Sequence, residues 1–203
     1  MQALEFGILD KIQVVKNPLL DKLMVIVSVI NNYAEMWIVI GVILFVFYYR
    51  STKKQKKYTH MYLIGVEDNQ HAAGRGEKSQ LNIGVTVLLS ILISAIVVNM
   101  GMKPYIARIR PYDVNTAVDI ITSPMKDFSF PSGHSSASFA AATAIFLWNK
   151  KIGVAAVLLA SIIAFSRLYL YLHYPTDVLA GILIGIACGL IARFMHRYVV
   201  ERF

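Results

Sequence analysis

Apolar residues occur along this chain in long, nearly uncharged runs that polar segments separate. The runs cover residues 22–49, 81–102, 134–149, 152–169 and 176–197. Because a transmembrane helix needs about 20 predominantly apolar residues, the pattern predicts an all-α, integral membrane helical bundle. Five helices follow from the runs themselves, and we expect six because Asn31-Asn32 can divide the first run into pieces at about 19–30 and 35–49. Whether residues 1–49 cross the membrane once or twice stays open.

The first 20 residues mix apolar and charged positions. Leu4, Ile8, Ile12 and Val15 lie near helical spacing, which predicts an amphipathic helix at the membrane interface, ending near Asn17-Pro18. A short helix packed on the bundle fits this pattern equally well. No basic segment leads into an apolar core, so we expect no cleaved signal peptide.

Small residues mark the helix faces that pack closely. Gly181, Gly185 and Gly189 recur every four residues in the last apolar run, which is the small-xxx-small pattern of membrane helix contacts. They lie in the middle of a span, so we interpret them as packing residues and not as a phosphate-binding loop. Cys188, the single cysteine, lies in the same run. It excludes a disulfide within the chain, and we expect it to be buried.

Composition and charge agree with a membrane protein. Only 16% of residues are charged and 57% are hydrophobic, whereas about 25% are charged in typical soluble domains. The net charge of +8 arises mainly in short segments, above all residues 50–80 with seven Lys and Arg. Membrane topology explains this excess better than nucleic acid does. The positive-inside rule places residues 50–80 and the C-terminus in the cytoplasm and segments 103–133 and 169–176 outside the plasma membrane.

Three segments at the predicted outer ends of the spans carry the residues suited to chemistry. These residues are Lys103 and Arg110 in the first segment, Ser132, Gly133 and His134 in the second, and Arg167, His173 and Asp177 in the third. Arg108 and Ser166 flank them, the first as an extra contact to a head group and the second as a packing residue. Glu35 either supports the site or lies at the membrane surface.

The residue types favour phosphate. Guanidinium groups match phosphate oxygens, and the helix that begins after Ser132 offers free backbone N–H groups to an anion. Phosphoryl transfer needs mainly positioning and charge stabilisation. The three cations Lys103, Arg110 and Arg167 meet that need. Because no carboxylate cluster suits Mg²⁺, we expect no metal and no other cofactor.

The two histidines divide the catalytic work. Asp177 lies four residues after His173 and can hold its ring, so we expect His173 to be the nucleophile and to form a phosphohistidine. His134 then acts as the general acid that protonates the leaving oxygen.

The joint spacing is far more specific than any one motif. The first motif is a Lys followed, after six intervening residues, by Arg-Pro. The second motif is Pro-Ser-Gly-His. The third motif is Ser-Arg, then His after five intervening residues, then Asp after three more. With these motifs the chain resembles the type-2 phosphatidic acid phosphatase superfamily, and its length is similar to that of small bacterial members such as phosphatidylglycerophosphatase B. The resemblance covers about 81–197 within a single domain, 1–203. It implies phosphate binding by Lys103, Arg110, Ser132, Gly133 and Arg167 and catalysis by His173, His134 and Asp177.

The leading hypothesis is therefore a membrane lipid phosphatase, with phosphatidylglycerol phosphate slightly favoured as substrate. Undecaprenyl diphosphate and phosphatidic acid are the alternatives, so the expected partner is an anionic phospholipid or a polyprenyl diphosphate. Vanadate haloperoxidases resemble the same motifs, but apolar spans argue against a soluble enzyme. A transporter needs charges along a path through the membrane, whereas here they cluster at one end. Protein partners and oligomeric state stay open.

Overall fold

The computed structural model describes residues 2–59 and 70–200, and within them the chain is helical with no strand. Nine α-helices are present in this part of the chain: α1 (Gln2–Gln13), α2 (Pro18–Ile30), α3 (Glu35–Thr59), α4 (Gln70–Ala95), α5 (Lys103–Ile106), α6 (Pro111–Val114), α7 (Gly133–Trp148), α8 (Lys150–Tyr169) and α9 (Pro175–Val200). Six of these helices, α2, α3, α4, α7, α8 and α9, form the bundle. The predicted fold class is confirmed.

The first apolar run is divided where the asparagines predicted. A short 3-10 turn, Asn32–Ala34, separates α2 from α3, and the two helices are bent by 53°. Asn31 is buried and donates a hydrogen bond to Ser138 Oγ at 3.1 Å, so the break is fastened to the centre of the bundle.

Three stretches of the described chain are long and apolar enough to cross a membrane. They are Ile83–Val114, Lys150–Tyr169 and Pro175–Tyr198, and the bent pair of α2 and α3 counts as a fourth if it forms one span. The protein is therefore an integral membrane protein. The predicted span at 134–149 corresponds to α7, which has 16 residues and a length of about 24 Å at 1.5 Å per residue.

Helix α7 lies in the centre of the bundle and is held there by close contacts with α9. A Cβ atom added to Gly181 would lie 2.6 Å from Ser132 O, and one added to Gly185 would lie 2.4 Å from Ser136 O. Larger residues at these positions would force the two backbones apart. The predicted glycine packing face is therefore present.

The N-terminal helix packs on the bundle with one face and exposes part of its predicted apolar side. Glu5 and Leu9 are buried, whereas Leu4 and Val15 are 70% and 55% exposed. Exposed apolar side chains are what an amphipathic helix at the membrane interface presents to lipid. The burial of Glu5 was not predicted, because its partners Arg108 and Thr176 lie far along the chain.

Residues 50–80 also differ from the sequence interpretation, which treated them as one polar connection. Helix α3 continues to Thr59 and α4 begins at Gln70. Lys and Gln are good helix formers, so a helix need not end where its apolar run ends. The short apolar stretch 61–66 lies outside the described residues.

One end of the bundle gathers all the predicted chemistry. A π-helical stretch, Ile96–Met102, leads into α5, and the chain then leaves the helix at Ala107 with φ of 49°. Helix α6, the irregular segment 115–132 and the turn 170–174 lie at the same end, together with α1. π-Helical turns are frequent at functional sites, and this one directly precedes Lys103.

Candidate active site

The predicted cations Lys103 and Arg110 meet at one carboxylate. Lys103 begins α5 and Arg110 precedes α6, and both are buried. Lys103 Nζ donates to Asp127 Oδ2, and Arg110 Nη2 donates to Asp127 Oδ1 at 2.6 Å. Burial opposes the charge on Asp127, but the two cations outweigh it and lower the pKa of this carboxyl to about 2. Asp127 had not been predicted.

Arg110 also contacts the predicted nucleophile. Its Nη1 lies 3.3 Å from His173 Nε2 and donates to Leu172 O at 2.8 Å. A guanidinium group has donors only, so a hydrogen bond between these two atoms requires an unprotonated Nε2. The ring proton of a neutral His173 is then on Nδ1, and Nε2 carries the lone pair that a nucleophile needs.

His173 and Asp177 are close, but they do not form a standard hydrogen bond. His173 Nδ1 lies 3.5 Å from Asp177 Oδ2 and has no hydrogen-bond partner among the described residues. Asp177 Oδ2 accepts instead from Ser129 Oγ at 2.5 Å and from Tyr174 N at 2.9 Å. The Asp177 carboxylate therefore fixes the surrounding backbone and lies next to the imidazole as a charge.

His173 lies in the turn between α8 and α9 and is buried. Burial is the main cause that lowers its pKa well below the usual value, and Arg110 and Arg167 lower it further. A neutral imidazole is thus favoured at neutral pH.

The third cation, Arg167, is held from the N-terminal part of the chain. Its Nη1 donates to Ser28 Oγ of α2, and its Nη2 lies 3.1 Å from Met125 Sδ. Its Nε is buried without a partner in the described part of the protein. Buried polar groups are nearly always satisfied, so an unpartnered guanidinium nitrogen beside His173 is typical of a ligand site.

The start of α7 supplies the second motif. Ser132 caps the helix, because its Oγ accepts from Ser135 N at 3.4 Å, while Ser132 N donates to Asp177 O at 3.0 Å. A Cβ atom added to Gly133 would lie 3.8 Å from Lys103 Nζ. His134 follows, and its Nε2 is buried with no partner among the residues described. The positive end of α7 therefore lies next to Lys103, which favours an anion there.

Arg108 does not have the surroundings expected of a head-group contact. Its guanidinium bridges two carboxylates, Glu5 Oε2 at 2.6 Å and Asp177 Oδ1 at 2.5 Å, and stacks 3.8 Å from the centre of the Tyr174 ring. The two buried acids satisfy this cation inside the protein.

Ser166 agrees with its predicted packing role, and Glu35 agrees with one of its two predicted alternatives. Ser166 donates to Ile163 O at 2.7 Å within its own helix, so it packs. Glu35 is exposed at the start of α3, which agrees with a position at the membrane surface.

All eight predicted site residues lie at one end of the bundle, and contacts link the three motifs. Sequence reasoning missed three of their partners, which are Ser28, Asp127 and Ser129. It also missed Glu5, which binds Arg108 beside the site. An acid just before the second motif was the available signal for Asp127, whereas nothing in the sequence set Glu5 apart from the other charged residues of its helix. Nothing in the sequence pattern distinguishes Ser28 or Ser129.

The arrangement offers three buried cations, a helix N-terminus and a neutral imidazole to an anion. These groups can hold a phosphate and donate to its oxygens while Nε2 of His173 attacks. In the described part of the chain, no group of three or more His, Cys, Asp and Glu side chains is placed to hold a metal ion.

Comparison with known proteins yields a family and a fold. The model of the PAP2 superfamily matches residues 83–201. An undecaprenyl-diphosphatase of Sulfolobus acidocaldarius is 31% identical over 109 residues, which cover 53% of this chain and 52% of that protein. A lipid A 4'-phosphatase of Bacteroides thetaiotaomicron is 30% identical over 125 residues, which cover 58% of this chain and 56% of that protein. The match thus spans about half the length of these relatives.

The fold is similar to that of a solved membrane enzyme. The crystal structure of a transmembrane PAP2 type phosphatidylglycerolphosphate phosphatase from Bacillus subtilis aligns with a TM-score of 0.68. The alignment covers 98% of this chain and 87% of that one at 18% identity. An identity this low shows the shared fold and leaves the substrate to other arguments.

Proposed function

Because the chain belongs to the PAP2 superfamily, we propose that it is a membrane lipid phosphatase that works through a phosphohistidine. The observation that supports this most strongly is the position of His173 Nε2, which lies 3.3 Å from Arg110 Nη1. The nucleophilic nitrogen is thereby next to a donor for the phosphate oxygens.

In the first step, His173 Nε2 forms a bond to phosphorus as the bond from phosphorus to the lipid oxygen breaks. Lys103, Arg110, Arg167 and the N–H groups at the start of α7 hold the three other phosphate oxygens. His134 gives its proton to the leaving lipid alcohol. Asp177 is the charge beside Nδ1 that stabilises the imidazole as it becomes positive.

In the second step, His134 takes a proton from water, and the water oxygen attacks phosphorus. The bond between phosphorus and Nε2 breaks, which releases inorganic phosphate and restores neutral His173. Both steps use side chains of this chain only, so we propose a reaction that does not depend on a metal.

We propose phosphatidylglycerol phosphate as the substrate, hydrolysed to phosphatidylglycerol. Undecaprenyl diphosphate is the second candidate, since a relative at 31% identity has the name undecaprenyl-diphosphatase. The same cations and histidines suit both lipids, and phosphatidic acid is a third candidate.

The test is phosphate release in detergent from a panel of these lipids, with a chelator present. We expect release from at least one lipid at the rate seen without chelator, and fastest release from phosphatidylglycerol phosphate. Loss of all activity with chelator would contradict the metal-free mechanism. Faster release from undecaprenyl diphosphate would replace the proposed substrate and keep the mechanism.

We further propose that the site faces outward from the plasma membrane and that the C-terminus is cytoplasmic. Most Lys and Arg lie in sequence segments away from the motifs, above all in residues 50–80, and the positive-inside rule places such segments in the cytoplasm. Replacing Cys188 by Ala removes the single cysteine, and Thr116→Cys then adds one exposed thiol at the site end. An impermeant thiol reagent should label it in whole cells and should not label a matched Lys151→Cys variant at the opposite end. The reverse pattern would invert the topology.

A further inference from the structure

We propose that Asp127 is an internal competitor of the substrate phosphate, a residue that sets phosphate affinity and speeds release of the product. This inference rests on the proposed phosphate site. In the free protein the Asp127 carboxylate binds the two cations that the substrate needs, and its side chain turns outward when phosphate binds.

The contacts of Asp127 resemble those of a bound phosphate. Its two carboxylate oxygens are used separately, Oδ2 by Lys103 and Oδ1 by Arg110 at 2.6 Å. Oxygens of a phosphate would accept from the same two donors. A phosphate oxygen in the place of either carboxylate oxygen would displace it, since two anions cannot occupy the same position.

Burial indicates which partner moves. The side chains of Lys103 and Arg110 are 8% and 1% exposed, whereas that of Asp127 is 47% exposed. The cations are enclosed by the protein, and the carboxylate covers them from the solvent side. Rotation of the Asp127 side chain outward needs no rearrangement of a helix, because residue 127 lies in the irregular segment 115–132.

The backbone around Asp127 can stay in place during this rotation. Arg110 Nε donates to Asp127 O at 2.9 Å, and Arg110 Nη2 donates to Phe128 O at 3.3 Å. These bonds join Arg110 to the main chain and do not involve the carboxylate. The guanidinium therefore keeps its position while its outer donor exchanges one anion for another.

The exchange of anions has a functional consequence. Three buried cations without an anion repel one another and are costly to keep charged. The pKa of the Asp127 carboxyl is low, so the carboxylate stays charged at any physiological pH. This negative charge offsets the cost of the three cations in the free protein. The same carboxylate returns as inorganic phosphate leaves, so the product competes with a group that is always present at high local concentration.

A purely structural role for Asp127 makes the opposite prediction. If the carboxylate only positions Lys103 and Arg110, then its removal should misplace both cations and weaken phosphate binding. Binding of inorganic phosphate therefore separates the two roles.

The experiment measures inorganic phosphate binding to the full-length protein in detergent by isothermal titration, together with its inhibition of lipid hydrolysis. Asp127→Asn removes the charge with little change in shape, and Asp127→Ala removes the side chain. Asp119→Asn is the matched control, because Asp119 is exposed in the same segment. We expect both Asp127 variants to bind phosphate at least tenfold more tightly than the wild type, with a lower KM, and Asp119→Asn to match the wild type.

Equal or weaker phosphate binding by Asp127→Asn and Asp127→Ala, in protein that elutes as the wild type does, would overturn the proposal and leave the proposed function intact. If the wild type releases no phosphate from any lipid but the Asp127 variants still bind phosphate more tightly, the competitor role holds and the proposed function fails.

Discussion

The motif-bearing part of the chain, residues 83–200, and the N-terminal part, residues 2–47, contribute to the site in different ways. Every predicted site residue belongs to the first part. The second part has no recognisable motif, yet Glu5 binds Arg108 and Thr176, and Ser28 binds Arg167. The comparison shows that the groups proposed to react lie in recognisable sequence motifs. The groups that position them come from another part of the chain and are brought to the site by helix packing.

The N-terminal contacts concentrate on the segment that holds the proposed nucleophile. Asp10 accepts from Tyr171 OH at 2.9 Å, and Asp21 accepts from Tyr169 OH at 2.6 Å. Gln13 donates to Tyr169 O at 3.0 Å. Helices α1 and α2 therefore hold the chain just before His173, and Glu5 of α1 holds Thr176 just after it.

The largest effect should come from the motif-bearing part. We expect His173→Ala to lower phosphate release by about 10⁴-fold or more, as removal of a nucleophile does in other covalent mechanisms. Phosphate release from the lipid panel measures it. His196→Asn is the matched control, because it removes an imidazole at the opposite end of the bundle and should keep activity within a few-fold of the wild type. Full activity in His173→Ala would exclude this residue as the nucleophile.

The second largest effect should come from the proposed general acid. His134→Asn should lower kcat by about 10²–10⁴-fold and change KM little, since the lost interaction forms in the transition state. A substrate with a better leaving group, such as an aryl phosphate, should recover much of the loss in the rate of phosphohistidine formation, because its oxygen needs no proton. If the aryl phosphate and the lipid show equal losses in that first step, His134 has another role.

The acid side of the pH profile should depend on His173. Burial and the neighbouring cations lower its pKa well below 6.5, so the neutral form persists as the pH falls to 6. We expect kcat/KM to be nearly constant from pH 7 to 6 and to fall about tenfold per pH unit only below the lowered pKa. A descending limb with a midpoint at or above pH 6.5 would show that the imidazole is not protected in this way.

The smallest of these effects should come from the N-terminal part. Glu5→Gln removes one of the two charges that hold Arg108, which then pairs with Asp177 alone. We expect kcat to fall about tenfold through misplacement of Asp177, with KM nearly unchanged and the acid limb of the pH profile shifted. Asp10→Asn, which affects only the Tyr171 contact, should lose less activity. Equal losses in the two variants would indicate a general effect on stability and no specific link to Asp177.

The features that could be predicted depend on residues that are close together in the sequence, and those that could not depend on residues that are far apart. The helices and the glycine face follow from periodicity within about 20 residues, and the break at Asn31-Asn32 follows from two adjacent polar residues. The three motifs were recognisable because spacing within each is short. The partners of Arg108 were not, since Glu5 lies 103 positions away and no local pattern connects the two.

The features that were missed have the same origin. The burial of Glu5 in α1 was not predicted, because its partners Arg108 and Thr176 lie far along the chain. Asp127 was overlooked because its importance depends on the meeting of Lys103 and Arg110, which are brought together by the π-helical stretch and the turn at Ala107. In each case a long-range contact decides the role of a side chain.

The most direct test of the central claim is to identify the covalent intermediate. The enzyme is mixed with lipid substrate labelled with radioactive phosphate and quenched in alkali, which preserves phosphohistidine, and its peptides are mapped by mass spectrometry. The account predicts label on His173 in the wild type and no label in His173→Ala, which is also inactive. Label on any other side chain, or turnover by His173→Ala, would contradict it.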